Sequence, residues 1–197
     1  IQRPLVGMLM VIVVLSGLLT LGSSKWAGPP TIVLGCLLLV LQVIALRTPS
    51  HAVVLASESV ACLFLLVLCW ALLMGVCAPG RITFHRIIGA VVVYLLIALL
   101  FSLLFDAVER LAPNAFTPGT DQQGPAPAGA RFFYLSVITL TSVGFGDMAP
   151  VHPVARSLVM VEAVIGQIYT TVLLAWLVSL EIVHRERSSR EAPPRTE

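Results

Sequence analysis

Apolar residues dominate five long stretches of the chain, at 4–22, 29–46, 52–78, 87–110 and 154–183. Within each stretch the apolar positions are continuous, which is typical of membrane helices, whereas strands of a membrane barrel alternate apolar and polar residues. About 20 apolar residues in a helix are enough to span the hydrocarbon core of a bilayer. The pattern therefore predicts an all-α membrane protein, with proline, glycine and charged residues between the spans.

The composition agrees with this prediction. Of the 197 residues, 58% are hydrophobic and only 11% are charged, whereas soluble domains carry about 25% charged residues. The net charge of +2 comes without a basic cluster interleaved with aromatic residues, so we expect membrane lipids as partners and no nucleic acid. The histidines lie at the ends of the spans, away from any nucleophile. We therefore expect no enzymatic activity and no organic cofactor.

The first three spans differ from a voltage sensor, because none of them carries arginine at every third position. Glu58, in the third span, is an ionisable residue among apolar ones, and such residues are candidates for function. It lies near the predicted start of its helix, where a carboxylate more often reaches the membrane interface. We favour the interfacial interpretation.

The most informative stretch is 139–147, which reads Thr-Leu-Thr-Ser-Val-Gly-Phe-Gly-Asp. Gly144 and Gly146 alternate with Val143 and Phe145. Since glycine takes positive φ at little steric cost, the pattern predicts an extended backbone whose successive carbonyls point the same way. Four such segments around an axis would present rings of carbonyl oxygens, with the Ser142 hydroxyl adding one more, to a dehydrated cation. An ordinary turn with two glycines is the alternative.

This stretch resembles the selectivity filter of tetrameric potassium channels, whose usual form is Thr-x-x-Thr-Val-Gly-Tyr-Gly-Asp. The resemblance is to the bacterial two-helix-pore type, here with extra N-terminal transmembrane helices, and it covers roughly residues 82–183. It implies an outer helix, a short pore helix at 130–141, the filter and an inner helix, preceded by about three transmembrane helices and assembled as a homotetramer. The implied function is passive, potassium-selective conduction. A non-selective channel for Na⁺ and K⁺ is the alternative.

The resemblance also assigns roles to individual residues. The filter would bind K⁺, its only implied cofactor, through Thr141, Ser142, Val143, Gly144, Phe145, Gly146 and Asp147, with the ions held at Ser142, Val143, Gly144 and Phe145. Tyr134, Thr139 and Glu162 would support the filter. The cavity and gate would be formed by Gly166, Gln167, Thr170, Leu174, Ala175 and Val178.

Three positions depart from the usual pattern. Ser142 and Phe145 replace the usual threonine and tyrosine, and Ile138 stands where some relatives carry a pore-helix glutamate. Asp147 is therefore expected to bond the Tyr134 hydroxyl or water. Glu162 lies one turn before Gly166 in an apolar helix, where a buried charge is costly.

We expect Glu162 either to face the pore helix, with Ser136, Thr139 or Thr141 as its partner, or to be protonated. For Gly166, a hinge and close packing are both consistent with the sequence.

The predicted organisation is an N-terminal transmembrane region at 1–80, a pore domain at 81–183 and a short cytoplasmic tail at 184–197. Basic residues at 81–86 favour a cytoplasmic start for the fourth span. We expect a multi-pass protein of the plasma membrane with its C-terminus in the cytoplasm, and any ligand-binding gate on a separate regulatory chain. Five spans would place the N-terminus outside. The chain begins at Ile1 and not at methionine, and a further helix before Ile1 would restore an even number of spans.

Overall fold

The computed structural model describes Val14, Gly17 and residues 28–47, 51–77, 84–117 and 128–191. These residues include five helices with both ends defined: α1 (Gly28–Arg47), α2 (His51–Cys77), α3 (Phe84–Leu111), α4 (Ala128–Leu140) and α5 (Pro153–Glu191). Val14 and Gly17 are also helical. The rest of the predicted first span, 4–22, lies outside the described residues.

The helix ends follow local sequence signals. Pro29 and Pro30 lie in the first turn of α1, and Pro153 is the first residue of α5. Proline is tolerated there because the first amides of a helix have no acceptor within it. The short helix predicted at 130–141 is observed as α4, from Ala128 to Leu140.

Helix α5 continues to Glu191, past the predicted end of the inner helix at 183. Beyond that point the sequence is charged, but it contains no proline or glycine before Pro193, and glutamate and arginine recur four residues apart. Pairs with this spacing favour a helix. The apolar pattern therefore marks where the span ends, while the helix itself continues into the predicted tail.

Within the part of the chain that the structure describes, three helices are long and apolar enough to cross a membrane, over Ala52–Val76, Arg86–Leu111 and Pro153–Leu173. The apolar parts of α1 and α4, Thr31–Ala45 and Gly129–Leu140, are shorter. The predicted second span is thus a helix with nearly the expected ends, although its described apolar part falls short of the length of the other three. These helices make the chain a membrane protein.

Two apolar clusters hold the helices together, and α3 contributes to both. The first joins α1, α2 and α3 with Val14, and its buried members are Val14, Leu38, Ala61, Phe64, Leu65, Leu68, Leu96, Leu99, Leu100 and Leu103. The second joins α3, α4, α5 and the intervening loops through Phe101, Phe105, Ala115, Phe116, Phe132, Leu135, Ile138, Met148 and Ala155. Helix α3 therefore connects the N-terminal helices to the part of the chain that carries the predicted filter.

Aromatic rings form the centre of the second cluster. Phe116 makes edge-to-face contacts with Phe105 and with Phe132, at centroid distances of 5.4 and 5.2 Å, within the range that aromatic pairs prefer. Phe132 is almost fully buried, whereas the next residue, Phe133, is exposed. Phe132 is therefore a core residue of the subunit, and a lipid-facing position is excluded for it.

Candidate functional site

The predicted filter segment, Thr141–Asp147, follows α4 directly. Its first amides bond back to the end of that helix: Ser142 N–H donates to Thr139 O at 2.9 Å, and the N–H groups of Val143 and Gly144 both donate to Ile138 O, at 2.9 and 3.1 Å. In a single chain every residue from 141 to 146 is exposed. The segment is thus anchored at its start and has its side chains and carbonyls available on the surface of the subunit.

The backbone of this segment alternates in handedness. Ser142, Gly144 and Gly146 have φ angles of 59°, 53° and 76°, whereas Val143 and Phe145 are absent from the described residues with positive φ. Glycine adopts such angles freely, but a serine there is uncommon. Among the described residues of one subunit, no neighbouring atom lies within 4 Å of where a Cβ would stand on Gly144 or Gly146. Within the subunit, the backbone conformation and not a lack of space therefore favours glycine.

Ser142 is held from the next helix. The Gln167 side-chain amide Nε2 donates to Ser142 Oγ at 2.6 Å. Gln167 lies on α5, 25 residues further along the chain. Two predicted site residues, one assigned to the filter and one to the cavity, are therefore in direct contact, and this contact was not predicted.

Gly166 packs against the backbone at the end of α4. A Cβ built on Gly166 would lie 2.2 Å from Leu140 O and 2.9 Å from Leu140 C, distances that a real Cβ does not reach. The same carbonyl oxygen accepts a hydrogen bond from the Tyr94 hydroxyl of α3 at 2.9 Å. Helices α3, α4 and α5 thus meet at one carbonyl group, and close packing is the observed reason for glycine at this position.

Glu162 is fully buried, one helical turn before Gly166. Its Oε1 atom forms a hydrogen bond with Ser136 Oγ of α4. Ser136 Oγ also lies 2.7 Å from Ala98 O of α3. The expectation that Glu162 bonds the pore helix is confirmed, with Ser136 as the partner.

The far end of the filter segment is tied to the loop after α3. Thr117 N–H donates to Ala149 O at 2.8 Å, and Ala149 N–H donates to Thr117 Oγ1 at 2.8 Å. Val151 N–H donates to Ala115 O at 2.8 Å. The chain leaving the segment is therefore fixed to the end of α3 by a short antiparallel pairing.

A family model described as an ion channel matches residues 61–181, more than half of the chain. The chain belongs to the ion channel family. No curated protein and no solved structure matches it significantly. The family match begins within α2, about 20 residues before residue 82, where the resemblance to potassium channels begins. It includes the whole of α3, α4 and the predicted filter segment.

The remaining predicted site residues of the channel lie as follows. Thr141 Oγ1 donates to Val137 O at 2.7 Å, so its side chain satisfies the end of α4. Thr170 Oγ1 donates to Gly166 O at 2.9 Å within α5. Thr139 contributes its carbonyl to the Ser142 amide, but its side chain does not contact Glu162 in any described hydrogen bond.

Further along α5, Ala175 is exposed. Leu174 and Val178 belong to the same helix, and their side chains lie outside the described part of the chain.

Asp147, the last residue of the predicted filter segment, has one buried carboxylate oxygen, Oδ1, without a hydrogen-bond partner among the described residues of one subunit. The expected partners of the Asp147 carboxylate, the Tyr134 hydroxyl or water, stay a prediction.

Two tyrosines of the channel were missed by the sequence analysis. Tyr94 donates to Leu140 O, and Tyr169 of α5 donates to Ala90 O of α3 at 2.7 Å. Their rings lie 5.5 Å apart between centroids. A usable signal was present, since a tyrosine inside an apolar helix needs a partner for its hydroxyl, although the sequence does not say which one.

A charged contact outside the predicted site joins α2 to α3. Arg110 Nε lies 3.0 Å from Glu58 Oε1, and a terminal nitrogen of the same guanidinium lies 2.7 Å from Asp106 Oδ2. Glu58 was expected to reach the interface. Its side chain is largely covered within the subunit, with 12% exposed, and is paired with arginine. The interfacial position stays a prediction.

Proposed function

We propose that this ion channel is potassium-selective and conducts K⁺ passively through a filter built from residues 141–147. The observation that carries the proposal is the alternation of φ at Ser142, Gly144 and Gly146 with the residues between them. A backbone that alternates in this way can direct successive carbonyl oxygens to one side. Rings of such oxygens replace the hydration shell of K⁺. In this arrangement the ions bind at Ser142, Val143, Gly144 and Phe145.

A homotetramer is part of the proposal, because one chain supplies a single filter segment and a closed ring of carbonyls requires several. The exposure of apolar side chains in the single chain supports this assembly. Val143 and Phe145 are 54% and 70% exposed in the single chain. In the membrane-spanning part of α5, only 11% is buried within the subunit. Cyclic assembly about the filter axis would cover these surfaces, as closed symmetry requires.

The supporting residues act from behind the filter in this proposal. Glu162 joins α5 to the pore helix through Ser136, and Gln167 orients the Ser142 hydroxyl at the inner end. Thr139 supplies a backbone acceptor to the filter. The selectivity of the intact carbonyl rings does not depend on the replacement of threonine by Ser142 or of tyrosine by Phe145, since both changes leave the backbone oxygens in place.

The gate is proposed on α5, below the filter. Gln167 and Thr170 would line the upper, more polar part of a water-filled cavity, and Leu174, Ala175 and Val178 an apolar constriction that closes by dewetting. Gly166, which was also expected at the cavity, is buried against Leu140 and instead holds α5 to α4 at this level. We place the channel in a bacterial plasma membrane, with the end of α5 in the cytoplasm. A regulatory chain, if the channel has one, would act on that end.

The reversal potential tests this function directly. The purified full chain is reconstituted in a planar bilayer with K⁺ on one side and Na⁺ on the other, and we expect the current to reverse close to the potassium equilibrium potential. Reversal near zero would instead show a non-selective cation channel. Gly144→Ala places a Cβ on a residue with positive φ and should abolish the selective current. Gly75→Ala, at an open helical position, is the matched control and should leave it unchanged.

A further inference from the structure

The hydrogen bonds around Ser136 require more protons than the serine can supply. Ser136 Oγ lies 2.7 Å from Ala98 O and also forms a hydrogen bond with Glu162 Oε1. A serine hydroxyl has one proton, and a backbone carbonyl can only accept. The Ser136 proton must therefore lie on the line to Ala98 O, because two oxygen lone pairs at 2.7 Å would otherwise face each other without a proton between them.

The contact between Ser136 and Glu162 then needs a second proton, and only the carboxyl group can provide it. A neutral carboxylic acid has one O–H donor and one carbonyl oxygen. In this assignment Oε1 is the O–H group that donates to Ser136. Oε2 is the carbonyl oxygen, which is buried and has no hydrogen-bond partner among the described residues. An ionised carboxylate would leave a charged oxygen at that place without a donor, which is costly in a buried site.

The surrounding charges do not change this conclusion. Among the described residues, no ion pair includes Glu162. On α3, Arg110 is engaged by Glu58 and Asp106, and Glu109 accepts hydrogen bonds from the amides of Asn114 and Phe116. The cations nearest in sequence on α4 and α5 are also directed elsewhere: Arg131 lies over the Phe132 ring, and Arg156 donates to Pro150 O.

We propose that Glu162 is a protonated carboxylic acid that donates to Ser136, whose hydroxyl in turn donates to the Ala98 carbonyl. This relay joins α5, α4 and α3 behind the filter, and it adds no negative charge beside the ion path. Glu162 is a positioning residue here: it acts by holding the helix that precedes the filter. Its protonation does not depend on the proposed function, whereas its effect on conduction rests on that function.

Infrared difference spectroscopy of the full chain in lipid at neutral pH tests the proton directly. The spectrum of the native chain minus that of Glu162→Gln should contain the carbonyl stretch of a protonated carboxylic acid, and the band should shift in heavy water. Absence of that band, with carboxylate bands in its place, would overturn the proposal. Ser136→Ala serves as a second variant, because removal of the hydrogen-bond acceptor should move the band without abolishing it.

Thermal unfolding of the same samples, together with Glu162→Ala, shows whether residue 162 stabilises the protein by donating a hydrogen bond to Ser136 or only by filling space. The glutamine amide has a donor and a carbonyl oxygen in nearly the same places, so Glu162→Gln should unfold close to the native temperature, while Glu162→Ala should unfold well below it. Equal losses in the two variants would contradict a donating role. The two proposals can fail separately. If the infrared band is present but the native chain does not conduct K⁺ selectively, the proposed function fails while the protonation of Glu162 stands.

Discussion

Replacement of Gly166 by alanine tests whether this glycine is required for packing or for bending. The new Cβ would lie 2.2 Å from Leu140 O, and a comfortable carbon–oxygen contact is about 3.3 Å or more. Helices α4 and α5 would therefore have to separate by about 1 Å. The obstructing atoms are backbone atoms of Leu140, which cannot rotate away as a side chain can. The Tyr94 hydroxyl holds the same carbonyl from the other side.

The expected loss of stability can be worked out from three contributions. Overpacking of this kind costs about 1–3 kcal/mol, and disruption of the Tyr94 hydrogen bond adds about 1 kcal/mol. Alanine is better than glycine in a helix by about 1 kcal/mol, which offsets part of the loss. The net destabilisation of Gly166→Ala is therefore about 1–3 kcal/mol.

Thermal unfolding of the purified channel in detergent is the assay, with about 2–4 °C of lowering expected for each kcal/mol lost. Gly75→Ala is the control: it also replaces a helical glycine, but no atom lies within 4 Å of its Cβ position, so it should unfold at the native temperature or slightly above. A Gly166→Ala protein that is as stable as the native one but opens with altered probability would refute the packing account and favour a hinge.

Two further predictions concern polar contacts. Gln167→Leu and Ser142→Ala each remove the hydrogen bond between these side chains, so each should lower the single-channel conductance. The double variant should show little further loss, because the two residues act through one contact. Additive losses of conductance would show that the two residues act separately. Arg110→Met leaves Glu58 and Asp106 without their shared cation and should lower the unfolding temperature more than Glu58→Gln does, by an amount equivalent to about 1–3 kcal/mol. A loss no larger than that of Glu58→Gln would show that leaving the two carboxylates without a cation has no further cost.

The helices could be predicted from the sequence because their signals are local. Continuous apolar runs placed the ends of α1, α2 and α3 within a few residues, and the alternation of Gly144 and Gly146 indicated positive φ. The position of α4 followed from the resemblance to potassium channels. The predicted end of α5 was wrong, because hydropathy reports where an apolar span ends, whereas the helix continues past that point to Glu191.

The contacts between helices could not be predicted in the same way. Gln167 and Ser142 are 25 residues apart, and Tyr94 and Leu140 are 46 apart, so neither pairing has a periodic trace in the sequence. A buried polar residue shows only that a partner must exist. For Glu162 the need for a partner was clear, and three candidates were consistent with it. Packing alone selected Ser136.

Three neighbouring positions of α5 contact the proposed filter segment and the helix that precedes it, and this constrains how the proposed gate can move. Glu162 reaches Ser136 of α4, Gly166 packs on the last carbonyl of α4, and Gln167 bonds Ser142, the second residue after α4. The upper part of α5 therefore cannot tilt as a rigid rod without breaking all three contacts.

If the constriction lies at 174–178, α5 must bend between Gln167 and that level for the gate to open while the filter stays intact. Thr170 lies in this interval, and its hydroxyl bonds back to Gly166 O. Such a back-bond weakens the helix locally and favours a bend. The glycine thus fixes the helix to the filter support, and the flexible point is expected one turn below it.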